Sequence, residues 1–231
     1  MAKRTTILLL LLTVSLNAEI SRRPHPSPKH DIISFHYMSP ISKTDFRNQG
    51  EASLLKTATQ TTPGTYIFVD DIGYQGTSNS TAAGGNAAFF VSSDNLVIDL
   101  GGKTLYQNSA NNATNGIEIN TNQKNVTIKN GSIVGFKGAG IYVRSGCDNV
   151  RIQNVVISNC GKQGIYFAGT AVDGTDVSNC IIENTIVSRS TGIAGTAPAI
   201  GLQLDYCQNV FVHNSIFSHS DARTASRSEE R

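Results

Sequence analysis

The residues of this sequence that are best suited to chemistry are two carboxylates, one arginine and two tyrosines in short, similar segments. The segments read GIEI, GIYV, GIYF and GLQL, and each alternates apolar residues with polar or aromatic ones. Such alternation is typical of a strand with one buried and one exposed face. Tyrosine rings with polar edges suit sugars, and carboxylates and arginine can hold charge or move protons. The candidate binding residues are Glu118, Tyr142, Arg144, Tyr166 and Asp205.

These segments recur at equivalent positions of a longer sequence repeat. The pattern NVTIKNG at Asn125 returns in related form at Asn95, Asn149, Asn179 and Asn209, at intervals of 24 or 30 residues. A period in this range indicates stacked repeats rather than a closed globular core. Each repeat contains a strand after its first Asn, a second aliphatic segment after a turn, and then the companion strand of the GIYV type. We therefore predict triangular coils stacked around one continuous core.

A column of asparagines marks the turn between the first two strands. These residues, which follow each repeat start by five positions, are Asn130, Asn154, Asn184 and Asn214. Asparagine tolerates the left-handed backbone of a tight turn, and stacked amides can bond from coil to coil. This column is therefore interpreted as structural.

The segments PGTYIFVDDI, VIDLGGKTL, NVTIKNG and GIYV resemble those of the right-handed parallel β-helix proteins of the pectin lyase-like superfamily. The resemblance covers roughly Pro63 to Ser220 and implies an all-β, right-handed parallel β-helix with about five coils visible in the sequence. The superfamily includes pectate and pectin lyases, polygalacturonases, epimerases, phage tailspikes and noncatalytic surface proteins. The resemblance therefore implies the fold more strongly than the function.

In enzymes of that superfamily the substrate lies along the outer face of one sheet, between longer loops. The companion strands are the candidate sheet here, because the insertions YQNSANNATN and SRSTGIAGTAPAI adjoin them. By resemblance to the lyases, Arg144 could hold a uronate carboxylate or take a proton, so an acidic polysaccharide is the expected partner. Two outward columns follow from the alternation: Glu118, Tyr142, Tyr166 and Gln203, and Asn120, Arg144, Ala168 and Asp205.

Simpler explanations exist for the same residues. Tyr142 and Tyr166 could pair with each other across the ladder, as aromatic residues often do in sheets. Arg144 lies one coil from Glu118, within reach of a surface ion pair. Both alternatives stay open at the level of sequence.

Several classes of chemistry find no support in the sequence. A glycosidase needs two carboxylates within about 5 to 9.5 Å, whereas Glu118 and Asp205 lie three coils apart, or about 14 Å at the strand spacing. The same separation leaves no evident calcium site, and no other metal or cofactor is indicated. A net charge of +2 and the lack of a recognition motif argue against nucleic acid.

The four cysteines are predicted to be free, buried thiols. Cys147 and Cys207 each precede a repeat start by two residues and would lie two coils apart, about 10 Å, which is beyond disulfide reach. Cys180 stands where other repeats have Val, as a small core residue.

The flanking segments complete the predicted organisation. Residues 1–18 resemble a secretory signal peptide, residues 19–43 a flexible lead-in, residues 44–62 a possible capping helix, residues 63–220 the β-helix and residues 221–231 a polar tail. The last repeat lacks its companion strand, which suggests a truncated chain or self-association at an uncovered coil.

Two functional hypotheses follow. One is a secreted or cell-surface β-helix protein with a carbohydrate-binding groove, related to polysaccharide lyases but without a complete catalytic motif; Arg144 is its weak catalytic candidate. The other is a noncatalytic surface, adhesion or structural protein in which the coil is a rigid spacer.

Overall fold

The computed structural model describes residues 38–46, 58–75, 87–108, 114–188 and 200–218. Within these ranges the chain forms strands joined by short corners, and every strand pairs in parallel with its neighbours. The proposed signal peptide, the polar tail and most of the two long insertions lie outside the described residues. The described part has three faces, which share one apolar core.

The first face has seven rungs and the other two have six rungs each in the described residues. The first face contains β1 (Met38–Ile41), β3 (Gly64–Phe68), β6 (Leu96–Asp99), β9 (Lys124–Val134), β11 (Asp148–Ser158), β13 (Val177–Glu183) and β16 (Cys207–His213). The second face contains β4 (Ile72–Tyr74), β7 (Thr104–Gln107), the second halves of β9 and β11, β14 (Ile186–Ser188) and β17 (Ile216–Ser218). The companion face contains β2 (Ala58–Gln60), β5 (Ala87–Val91), β8 (Asn115–Ile119), β10 (Ile141–Arg144), β12 (Gln163–Ala168) and β15 (Ile200–Asp205).

The predicted register is confirmed by the strand pairing. Val126 lies opposite Leu96 on one side and Val150 on the other, and Cys180 lies opposite Val210. The inward residues of these rungs are buried through most of the stack. In the last described rung the inward positions are more open, and Leu204 and Val212 are each 42% exposed.

Asparagines in the left-handed conformation form two of the corners. The predicted column has positive φ at every member, with values of 58° at Asn130 and 53° at Asn154, whose amide bonds back to Asn130. The repeat-start asparagines share this conformation, which the sequence reading did not anticipate. The Nδ2 of Asn125 donates to Asn95 and the Nδ2 of Asn149 donates to Asn125, both at 2.8 Å. Left-handed residues and stacked amides thus fix the bend and the register together.

The N-terminal organisation differs from the prediction. Within the expected lead-in, Met38–Ile41 is a strand that pairs with β3. A 3-10 helix, Lys43–Phe46, spans the boundary between the expected lead-in and the expected capping helix. Ala58–Gln60, also expected in that helix, is a strand paired with β5, and residues 47–57 lie outside the described residues. The physical reason is tertiary burial, because Phe46 packs against the rings of Phe68, Tyr74 and Phe89 at 6.3 to 6.5 Å.

Glycines at the start of the companion strands allow the second face to approach closely. A Cβ on Gly140 would lie 2.5 Å from a γ-carbon of Ile157 and 2.8 Å from the carbonyl oxygen of Gly164. Gly116 has the same relation to Ile133. Real side chains do not tolerate such distances, so the glycine column is required by packing.

The corners that border the companion face vary in length without disturbing the register. Residues 145–147 connect β10 to β11, whereas the longer segment 169–176 connects β12 to β13. Nevertheless β11 and β13 keep their in-register pairing, with Ile152 opposite Ile182. The extra residues are therefore accommodated outside the coil.

The prediction of free cysteines is confirmed. None of the four forms a disulfide, and Cys147, Cys160 and Cys180 are buried. Burial raises the pKa of each of these three thiols to about 12 and that of the half-buried Cys207 to about 11. At neutral pH all four thiols are protonated, and the prediction of burial is wrong only for Cys207, which is half-buried.

We expect Gly140→Ala to destabilise the fold by about 1–3 kcal/mol, because the added methyl group overpacks the corner against Ile157. Urea unfolding followed by circular dichroism measures this. Gly174→Asn is the control, since a Cβ there meets nothing within 4 Å and asparagine tolerates its φ of 77°. Equal stability of Gly140→Ala and wild type would show that the column is not required by packing.

We expect a thiol reagent at mildly alkaline pH to modify Cys207 first and the three buried cysteines only slowly, because the thiolate is the reactive form. After denaturation without reductant, all four thiols should react. Mass spectrometry over time assigns each site. A shortfall in the denatured sample would reveal a disulfide.

Candidate functional site

The companion face brings the predicted columns together as expected. Tyr142 lies between Glu118 and Tyr166, and Tyr166 lies opposite Gln203. In the neighbouring column Arg144, Ala168 and Asp205 are aligned. The side chains on β10, β12 and β15 are partly exposed, whereas Glu118 on β8 is buried. The register thus places the tyrosines, Arg144 and Asp205 on one accessible strip.

Glu118 is held from two sides. The Nε and Nη2 atoms of Arg144 both approach Oε1 of Glu118 at 2.5 Å, and the amide of Asn115 donates to Oε2 at 3.0 Å. Asn115 is itself fixed, because its oxygen accepts from the backbone N–H of Ala139 at 2.8 Å. The ion pair considered from the sequence is therefore present, and its carboxylate is only 1% exposed.

Arg144 also contacts an aromatic ring. Its guanidinium carbon lies 5.9 Å from the ring centroid of Phe90, within the range of a cation–π interaction. The side chain remains 32% exposed, so one edge faces solvent while the rest is bound to Glu118 and Phe90. Arg144 is thus a positioned group with its charge already paired.

Burial raises the pKa of Glu118, and the hydrogen bond from Asn115 and the charge of Arg144 oppose that rise. Desolvation is the larger effect, because the carboxylate lies under the arginine rather than in water. The pKa of Tyr142 is also raised, first by burial and then by the nearby Glu118. The tyrosine hydroxyl therefore stays protonated over the physiological range.

Tyr142 and Tyr166 pair with each other across the ladder. Their ring centroids are 5.2 Å apart and the planes are inclined at 39°. The cross-strand pairing considered from the sequence is therefore present, at a spacing close to that of the strands. The ring surfaces that do not face each other are what a ligand on this strip could contact.

A polar network continues the strip beyond the tyrosines. The hydroxyl of Tyr166 donates to Oδ2 of Asp205 at 2.7 Å, and the amide of Gln203 donates to the same oxygen at 2.9 Å. Gln163 donates to Gln203 at 2.6 Å. Within the described residues, Oδ1 of Asp205 and the hydroxyl of Tyr142 have no hydrogen-bond partner, so both can serve a ligand.

The fold and this geometry agree with a comparison to protein families. A family model described as the right-handed beta helix region matches residues 66–227. The chain belongs to the right-handed β-helix family. No curated protein and no solved structure matches this β-helix chain.

The β-helix geometry separates the two carboxylates of the companion face. Glu118 on β8 and Asp205 on β15 are three strand spacings apart, or about 14 Å, which is too far for a glycosidase pair. In the described ranges, no group of three His, Cys, Asp or Glu is placed to hold a metal ion. The part of the chain that the structure describes also contains no helix long and apolar enough to cross a membrane.

Sequence reasoning missed Phe90, Asn115 and Gln163. Phe90 lies opposite Glu118, and aligning AAFFVSS with GIEI would have found it. Asn115 is the first residue of β8, directly before the GIEI segment, and the alternation of that segment assigns it no face. Gln163 belongs to the site through its hydrogen bond to Gln203, and no sequence pattern indicates that bond.

The outward side chains of the first face form a column of charged and amide groups, whereas those of the companion face include the tyrosine pair. Lys129 lies 3.5 Å from Asp99, and Glu183 accepts from Gln153 and pairs with His213 at 3.1 Å. The outward side chains of this face therefore pair charges of opposite sign at a solvated surface. His213 has a carboxylate partner because the register places it opposite Glu183.

We expect the stability contributed by Glu118 to depend on pH. Because its folded-state pKa is raised, that contribution is fully present below the ordinary value of 4.5 and is lost as pH rises through the raised value. The urea midpoint of wild type should therefore fall relative to that of Glu118→Gln across this window. Circular dichroism at a series of pH values measures the difference.

Asp148→Asn provides a comparison of opposite sign. Hydrogen bonds from Asn179 and Ser178 lower the pKa of Asp148, so its contribution is lost as pH falls. If the difference in urea midpoint between wild type and Glu118→Gln stays constant with pH, the assigned burial of Glu118 is contradicted.

Proposed function

We propose that this β-helix protein binds carbohydrate along the partly exposed strip formed by β10, β12 and β15. The observation that carries the proposal is the strip of Tyr142, Tyr166 and Asp205, which presents ring surface beside a hydroxyl and a carboxylate oxygen that have no hydrogen-bond partner among the described residues. Sugars offer apolar ring faces and hydroxyl groups, and this strip can meet both. A saccharide spanning these three rungs would cover about 10 Å.

The strip supports binding because its side chains are fixed before a ligand arrives. Tyr166 and Gln203 hold Asp205 through the same oxygen, and Tyr142 is packed against Tyr166. A side chain that is already ordered loses little conformational entropy on binding. The parallel rungs beneath provide the rigid support that precise sites need.

The arrangement supports binding better than lyase chemistry. For Arg144 to hold a uronate or take a proton, a ligand would have to compete with Glu118, which binds the guanidinium through two nitrogens. An acidic polysaccharide, the expectation from the sequence, would meet the same competition. We therefore propose recognition of a saccharide without assigning a reaction.

The second candidate is a noncatalytic surface or adhesion protein with a rigid coil as spacer. This second candidate is favoured by the pairing of Tyr142 with Tyr166 and of Arg144 with Glu118. In each pair the two side chains already bind each other and need no ligand. In either case we propose export, because residues 1–18 carry a signal-like pattern of Lys3 and Arg4 followed by an apolar run.

We expect Tyr142→Ala to weaken polysaccharide binding by at least about tenfold, because a central aromatic residue and its hydroxyl are lost. Affinity electrophoresis against a panel of neutral and acidic polysaccharides identifies the ligand, and calorimetry gives the affinity. Tyr106→Ala is the matched control, since Tyr106 is a 37% exposed tyrosine on the second face.

The control should bind as wild type does. Binding to no polysaccharide of the panel, or equal loss in Tyr142→Ala and Tyr106→Ala, would overturn the proposal and favour the spacer hypothesis.

A further inference from the structure

We infer that two carboxylates make this site selective for uncharged saccharides, Glu118 by neutralising Arg144 and Asp205 by repelling anionic sugars, an inference that rests on the proposed carbohydrate binding. The companion strands described above contain three charged side chains, Glu118, Arg144 and Asp205. One positive charge thus stands against two negative charges. The pairing among the three decides what a ligand experiences.

The positive charge is already paired within the site. Two nitrogens of the Arg144 guanidinium lie 2.5 Å from Oε1 of Glu118, and the carboxylate is nearly inaccessible to solvent. Because the two opposite charges are adjacent, the fields that they produce at the surface largely cancel. Their mutual attraction is strong because water screens a buried pair weakly. Asn115 holds the second oxygen of Glu118 and prevents the carboxylate from turning away.

The negative charge of Asp205 has no such partner. Its contacts are the neutral hydroxyl of Tyr166 and the neutral amide of Gln203, and no salt bridge among the described residues involves it. Among the charged side chains of the described companion strands, an anionic sugar would therefore approach one uncompensated carboxylate and no uncompensated cation. Like charges brought together at an interface suppress the wrong ligand.

A neutral sugar meets complementary groups in the same place. Oδ1 of Asp205 can accept from sugar hydroxyls through charge-assisted hydrogen bonds, which are stronger than neutral ones. The hydroxyl of Tyr142 can donate to or accept from a further hydroxyl two rungs away. A hydroxyl-rich, uncharged saccharide is thus the class that fits the strip.

The decisive variant is Glu118→Gln, which leaves the shape of the site but removes the charge that neutralises Arg144. The ligands are galacturonan oligomers of matched length, either fully methyl-esterified or free of ester, so the backbone is shared and the oligomers differ in their charge and in the ester methyl groups. Calorimetry at neutral pH gives the ratio of the two affinities. A set of neutral glucans and mannans accompanies them, because the preferred backbone is unidentified.

For wild type we expect the neutral oligomer or a neutral glycan to bind at least about tenfold more tightly than the uronate. For Glu118→Gln we expect uronate binding to rise by about tenfold or more, and the double variant Glu118→Gln/Arg144→Gln should lose that gain. Glu183→Gln on the first face is the matched control and should change neither affinity. Circular dichroism verifies that each variant is folded.

Asp205→Asn tests the same inference without disturbing the buried pair. It should weaken neutral binding and raise uronate binding, because the repelling charge is gone. If Glu118→Gln does not fold, this variant alone decides the outcome.

The possible failures are distinguishable. Binding of no glycan by wild type overturns the proposed function itself. A wild-type preference for the uronate leaves the proposed function intact and overturns the inference. A neutral preference that neither Glu118→Gln nor Asp205→Asn shifts overturns the assigned role of the charges.

Discussion

The whole structure depends on the alignment of each rung with the one before it, and left-handed asparagines enforce that alignment. A side chain at φ near 55° is normally unfavourable, and asparagine bears this conformation best among residues other than glycine. Because the amide of Asn125 bonds to Asn95 and that of Asn149 to Asn125, the residue that bends the chain also binds the previous bend. Conformation and register are thus set by the same side chain.

The candidate site follows from this alignment rather than from any long-range contact. Parallel in-register strands place equivalent residues of successive rungs next to one another, so Glu118, Tyr142 and Tyr166 form a row although they are distant in sequence. The row makes the ion pair and the aromatic pair nearly unavoidable. The outward face therefore holds charges and rings that largely pair with each other, and the proposed binding rests on the remaining Asp205 oxygen and Tyr142 hydroxyl.

The sequence predicts most of the fold because each repeat carries its own alternation and its own turn asparagine. The faces of residues such as Val126, Ile141 and Cys180 follow from period and register alone, and so does the absence of disulfides. Strand β1 was not foreseen, because MSPI has no alternation and acquires its conformation by pairing with β3. The burial of Glu118 was not foreseen either, since it depends on Asn115, which lies at the start of β8, and on Phe90, which lies on a different rung.

The unequal corners have a consequence for how such a protein can diversify. Residues 169–176 replace a much shorter connection without shifting Ile152 from Ile182, so the length of a corner segment does not set the register of the rungs that it joins. Since each rung interacts mainly with its neighbours, a segment exchanged at one corner leaves the distant rungs unaffected. The coil can therefore serve as a grafting scaffold, on which new specificities arise by exchange of corner segments while the inherited core stays untouched.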